Sequence, residues 1–249
     1  MSYKKIVAAF SAAICLLSCV SCGKGTEISV DEKASESTTA SAPDKSNLSV
    51  GELIEPDEES EEYNLGSYRI ASDGVKLYYD ETVPEELMFA LDKYFSSFQN
   101  NDLEAYKESL YPDFIERYGK FLEEEYKYGI EKSFELSCDN LRSQMQNALA
   151  GDEGDPSQYS GDYTITRIKA EAPALNEDET IDDAKKALFE YFREVFDMDY
   201  YEFIKEDSDG IELVCFYIYA EGEDGEEHRL IGSYEIAFAL KDGKYYTFG

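Results

Sequence analysis

The sequence predicts an α+β fold in which N-terminal helices pack on a curved, mainly antiparallel C-terminal sheet. Three observations carry that prediction. Apolar residues recur at helical spacing through most of 83–149, Ile211 to Ala220 is an almost wholly apolar run, and the segment from Leu230 to Leu240 is an alternating one punctuated by glycine turns. Helices followed by a terminal set of strands separate the two kinds of element along the chain, which is the α+β arrangement.

Residues 1–22 read as a secretory signal region, because Lys4 and Lys5 precede the apolar stretch Ile6 to Leu17. That stretch is about a dozen residues, short of the roughly 20 that a spanning helix needs. Leu16-Leu17-Ser18-Cys19 and Val20-Ser21-Cys22-Gly23 resemble the lipobox of bacterial lipoproteins, in which a peptidase cuts before a cysteine carrying a thioether-linked diacylglycerol. The resemblance places lipidation at Cys19, with leucine three residues before it, and leaves Cys22 as the alternative. Two acyl chains supply the double signal that stable anchoring needs. The expected location is therefore extracytoplasmic, on the outer face of a bacterial cell membrane. Residues 23–62 hold 12 acidic and three basic residues with hardly an aromatic, which predicts a disordered tether. As a flexible coil it reaches roughly 35 Å.

Residues 63–249 form the predicted folded domain and hold 20 of the 21 tyrosines. Ser67 to Tyr79 alternates around Ser72-Asp73-Gly74 and predicts a hairpin. Thr82 and Glu85 have capping-box spacing, with Pro84 in the first turn of a helix over about 83–99 whose core face is Leu87, Leu91, Tyr94, Phe95 and Phe98. Asn100-Asn101-Asp102 breaks it and caps a short helix through Leu103, Tyr106 and Leu110, and Pro112 starts another through Phe114, Tyr118 and Leu122. A helix from Ile130 to Leu149, a loop, a strand from Tyr163 to Ala170 and a helix opened by Thr180 follow. Everything beyond Tyr200 reads as strand, with four strands set off by Asp207-Ser208-Asp209-Gly210, Glu223-Asp224-Gly225 and Asp242-Gly243.

The helix running into Asn101-Asp102-Leu103-Glu104-Ala105-Tyr106, the strand-helix-meander order after Tyr163, and the ending Lys241-Asp242-Gly243-Lys244-Tyr245-Tyr246 together resemble the nuclear transport factor 2-like superfamily. The resemblance covers most of residues 83–249. It implies a cone-like roll, a curved sheet wrapping a long helix with a pocket between them, in a superfamily that holds hydratases, isomerases and non-catalytic binding modules. The helix at 130–149 and the hairpin at 67–79 depart from its minimal pattern.

With 55 acidic and 23 basic residues the chain lacks the basic stripe that phosphate neutralisation requires, so nucleic acid is not an expected partner. The one histidine, His228, sits beside a turn, which leaves no histidine triad or histidine metal site. Asp152-Glu153-Gly154-Asp155 and Asp207-Ser208-Asp209-Gly210 lack the distant glutamate of a calcium loop. No metal or cofactor is expected. Cys138 and Cys215 either pair or sit as buried free thiols, and both occupy apolar positions. The pairs Tyr78-Tyr79, Tyr200-Tyr201 and Tyr245-Tyr246 put adjacent rings on opposite faces of a strand, so Tyr78, Tyr200 and Tyr245 are candidates for a binding surface, the other reading being half-buried packing. The expected function is a non-catalytic module binding a peptide, glycan or partner protein between the helix at 83–99 and the sheet at 200–248. The alternative is a hydratase or isomerase with a buried carboxylate beside a tyrosine in the roll pocket.

Overall fold

The computed structural model describes residues 51–152 and 154–249. Cys19, Cys22 and the tether up to residue 50 lie outside the described residues. Among the described residues are six α-helices and one seven-stranded sheet, in an α+β arrangement whose longest strands follow the helices. The strands are β1 (Leu53–Ile54), β2 (Tyr68–Ile70), β3 (Lys76–Tyr79), β4 (Thr164–Glu171), β5 (Gly210–Glu221), β6 (Glu227–Lys241) and β7 (Lys244–Thr247). Their spatial order is their order in sequence. All neighbours are antiparallel except β3 and β4, which are parallel. A parallel pair needs a crossover connection. Here it is four helices long: α1 (Glu85–Gln99), α2 (Leu103–Ser109), α3 (Pro112–Tyr126) and α4 (Ile130–Ala150). Between β4 and β5 come α5 (Ile181–Phe196) and α6 (Tyr200–Asp207). No described helix is long and apolar enough to cross a membrane.

The folded region starts earlier than Tyr63, because Leu53 and Ile54 pair with Arg69 and Tyr68 and extend the sheet edge. The apolar pair Leu53-Ile54, with Ile54 packed against Tyr68, Ile70 and Tyr78, supplies an attachment that the acidic composition around it hides. Thr82 does not cap α1. The N-cap is Pro84, Thr82 turns back to Asp80, and Glu85 pairs with Arg69 at 3.0 Å. The other expected caps form: Asp102 accepts from Ala105 N at 3.0 Å, and Thr180 with Asp183 makes a complete capping box.

The segment after Tyr200 corrects the strand reading, since α6 is a helix capped by Asp199 and only three strands follow it. Tyr200, Tyr201 and Ile204 are its buried residues, and i, i+4 spacing is a helical face. Tyrosine and phenylalanine favour strands, but tertiary packing decides here. Tyr200 meets Phe196 at 4.8 Å and Phe192 at 5.8 Å between ring centroids, inside an aromatic cluster with Phe189 and Phe248. The end of α6 is pinned to the end of β6, because Asp207 accepts from both Tyr111 and Lys241 at 2.6 Å.

α1 crosses the sheet with Leu87, Leu91, Tyr94, Phe95 and Phe98 buried, Phe95 lying 5.1 Å from Phe216 of β5. The space between α1 and the middle of the sheet is thus filled by side chains at that point. Cys138 and Cys215 are both buried free thiols.

Candidate functional site

The opening that the crossover leaves is at the edge of the sheet. The turn Asp242-Gly243, both residues at positive φ, sends β7 back along β6 in register from Lys241↔Lys244 to Phe238↔Thr247. Beyond β7 no further strand pairs among the described residues; Tyr111 N instead donates to Thr247 O at 2.8 Å and closes that end of the edge. A groove of about 710 Å³ results, with Phe89 and Lys93 on the flank of α1, Lys107 and Ile115 from α2 and α3, and Lys244 and Tyr245 on β7. Its size is that of small-molecule and short-segment sites.

Lys93 is engaged by Glu108 at 2.8 Å, and Lys107 by Glu131 at 3.1 Å and Glu104 at 3.4 Å. Lys244 is exposed and makes no ion pair within 4 Å among the described residues, though its charge, after the hydrogen bond and charge of Lys93, helps hold down the carboxyl of Glu108, which lines the same groove. Tyr245 is half-buried, and burial followed by the charges of Glu212 and Glu86 holds its phenol above the ordinary tyrosine range. Its ring gives a rigid amphipathic wall beside an available cation.

A second pocket of about 320 Å³ adjoins the groove, shares Phe89 and Lys93 with it, and runs under the β2–β3 turn. Asp92 lines it at 6% exposure. Burial first, then the charge of Asp73, pushes its carboxyl up to about 7, against a smaller opposing effect of Ser96. A cleft of about 360 Å³ between α3 and α5 sets Phe121, Tyr126 and Tyr191 beside Arg117 and Lys120.

The three tyrosines singled out in the sequence do not come together. Tyr245 lines the groove. Tyr78 is 4% exposed and packs against Tyr68, ring centroids 5.1 Å apart and tilted, in a small separate cluster, and Tyr200 is 0% exposed in the main core. Neither of those two presents its ring to a ligand, because each is covered by neighbouring rings. His228 lies in β6 beside the predicted turn, opposite Ala220, with Nε2 2.8 Å from Asp224. Of the turn aspartates, Asp155 caps Ser157 and Asp207 holds Tyr111 and Lys241.

Sequence reasoning passed over Phe89, Asp92, Asp73 and Lys244. A signal existed for Asp92: it stands four residues after buried Met88 and four before Ser96, which puts a carboxylate on a row that runs into the core. Compared with known protein families, with curated proteins and with solved structures, the chain matches none.

Proposed function

We propose that this chain is a lipid-anchored lipoprotein of a bacterial cell surface. Its folded domain, a cone-like roll similar to the nuclear transport factor 2-like superfamily, acts as a non-catalytic binding module. The lipobox-like cysteines Cys19 and Cys22 and the acidic stretch after them support the location. The observation that carries the binding reading is the edge groove, where Tyr245 and Phe89 line the same opening as Lys244, a lysine with no ion pair within 4 Å among the described residues in a chain of net charge −32. A ligand there is a short peptide or glycan segment whose carboxylate faces Lys244 while a flat, partly apolar group lies on Tyr245.

Asp92 supplies the buried carboxylate that the hydratase or isomerase reading needs. Its pocket, however, is lined by Ser72, Ser96, Ser97 and Asn100, with no tyrosine in place to share the proton work. Binding is therefore the preferred reading.

The test is calorimetric titration of the full chain with an acidic hexapeptide and with a soluble cell-wall glycan–peptide fragment carrying free carboxylates. Binding to at least one probe is expected, weakened tenfold or more by Tyr245→Ala and by Lys244→Ala. Failure of the wild type to bind either probe, or binding indifferent to both substitutions, removes the groove as the site. Location is tested separately: metabolic labelling with a fatty acid should mark the wild type and be lost in Cys19→Ser, whereas loss only in Cys22→Ser moves the anchor to the alternative.

A further inference from the structure

The β2–β3 turn lies over the flank of α1 and is joined to it through one hydroxyl. Ser96 Oγ donates to Asp73 Oδ2 at 2.7 Å and lies 3.4 Å from Asp92 Oδ1. A serine hydroxyl carries a single proton. With that proton given to Asp73, Ser96 Oγ meets a protonated Asp92 as acceptor, whereas an ionised Asp92 competes with Asp73 to accept the same hydroxyl proton. We propose that Asp92, Ser96 and Asp73 form a proton-dependent latch between α1 and the β2–β3 turn, closed while Asp92 holds its proton and released once that proton passes to solvent.

The charged groups around Asp92 leave it without a counter-ion. Asp73 faces it from the turn, and Lys93 and Asp102 line the same pocket from α1 and from the N-cap of α2. Lys93 is drawn off to Glu108 at 2.8 Å, and Asp102 is occupied by Ala105 N at 3.0 Å. Ionising Asp92 therefore puts two carboxylates on either side of one hydroxyl, Asp92 largely hidden from water and Asp73 exposed on the turn, and the two like charges repel. The raised carboxyl, at about 7, sets the release near neutral pH. The 3.4 Å contact between Asp92 and Ser96 lies within α1, so the bond that release breaks is the one from Ser96 across to Asp73.

The movement is confined. Ala71 and Val75 on either side are buried at 2%, while Gly74 at φ +89° holds a conformation that glycine adopts without strain. Ser72 and Asp73 form one wall of the polar pocket, so release of the turn widens that pocket on the side that shares Phe89 and Lys93 with the edge groove.

Amide hydrogen exchange of the full chain between pH 5.5 and 8.5, corrected for the intrinsic pH dependence, reads the latch at Gly74 and Val75, which donate to Ala71 O and Asp73 Oδ1. Protection in the wild type is expected to fall at least tenfold across the range, with a midpoint near neutral. In Asp92→Asn the side-chain amide can donate to Ser96 at every pH, so protection stays high and flat. A flat wild-type profile, or the same midpoint in Asp92→Asn, overturns the proposal. Ser96→Ala keeps both carboxylates and removes the joint: the turn should exchange rapidly even at pH 5.5, and wild-type protection there refutes the latch independently of how Asp92→Asn folds.

Discussion

Replacing Tyr200 by alanine distinguishes a ring that builds the core from a ring that meets a ligand. Tyr200 is fully buried, with ring centroids of Phe196, Phe203, Phe192 and Phe248 at 4.8, 5.7, 5.8 and 6.0 Å. A tyrosine side chain buries roughly 200 Å². At about 25 cal/mol per Å² that is ~5 kcal/mol for the whole side chain. Retaining Cβ lowers the figure and the cavity left among the four rings raises it, so the expected loss is about 4 kcal/mol, within the usual range for aromatic-to-alanine changes in cores. For a domain of this size the melting point should drop by roughly 8–16 °C. The assay is urea unfolding followed by circular dichroism, where the midpoint should fall with the slope unchanged. Tyr245→Ala, at a half-buried position, should cost about 1 kcal/mol in the same assay. A Tyr200→Ala protein within ~1 kcal/mol of wild type would mean that the ring is not packed where α6 puts it, and the strand reading of this segment would have to return.

Thr180→Ala removes the reciprocal bonds with Asp183 at the start of α5 and should cost about 1 kcal/mol, read by the same denaturation. Burial pushes the Cys138 thiol up to about 11, so iodoacetamide at pH 8 should leave it unmodified in the native chain and alkylate it after denaturation, as peptide mass mapping will show. Cys215, also buried and without a disulfide, should be shielded from the reagent by burial alone and alkylate only after denaturation. Asp92 makes stability depend on pH with a defined sign. Burial pushes its carboxyl up to about 7 from the ordinary aspartate value of 3.8, so the native state binds the proton more tightly, and stability falls as pH rises between those two values. Asp92→Asn, which does not titrate, should therefore gain on the wild type by up to about 4 kcal/mol across the whole window and plateau above it, of which about 3 kcal/mol is read by urea midpoints at pH 5 and 8. A constant difference between the two pH values would show that Asp92 titrates normally.

The parts of this fold legible in the sequence are those where one local signal dominates. The Asp102 cap, the Thr180–Asp183 box, Pro112 at the start of α3 and the run Ile211 to Ala220 each state a local preference that the packing leaves in place. Thr82 and α6 failed for the opposite reason. Thr82 had two partners within reach and took Asp80, and Tyr200 to Phe203 carry strand-favouring side chains whose conformation is decided by rings far along the chain, such as Phe248. The candidate site was legible only at Tyr245. Phe89, Lys93 and Lys244 lie on elements remote in sequence that meet only once β7 folds back beside α1, and no spacing rule reports such a meeting.

The same topology says how the groove recognises a ligand. An exposed sheet edge ordinarily invites an extended peptide to add as a further strand through main-chain hydrogen bonds. Here β7 is four residues long, and Tyr111 N already takes the carbonyl of its last residue, Thr247. Too little free backbone is left to hold a strand in register, whereas Phe89, Lys244 and Tyr245 line the groove. Recognition should then rest on ring stacking and charge, and N-methylation at successive positions of the acidic hexapeptide should change its affinity by less than tenfold, while Tyr245→Ala changes it by more. An N-methyl scan that abolishes binding at alternate positions would identify strand addition instead, and would move the contact from the groove to the sheet edge.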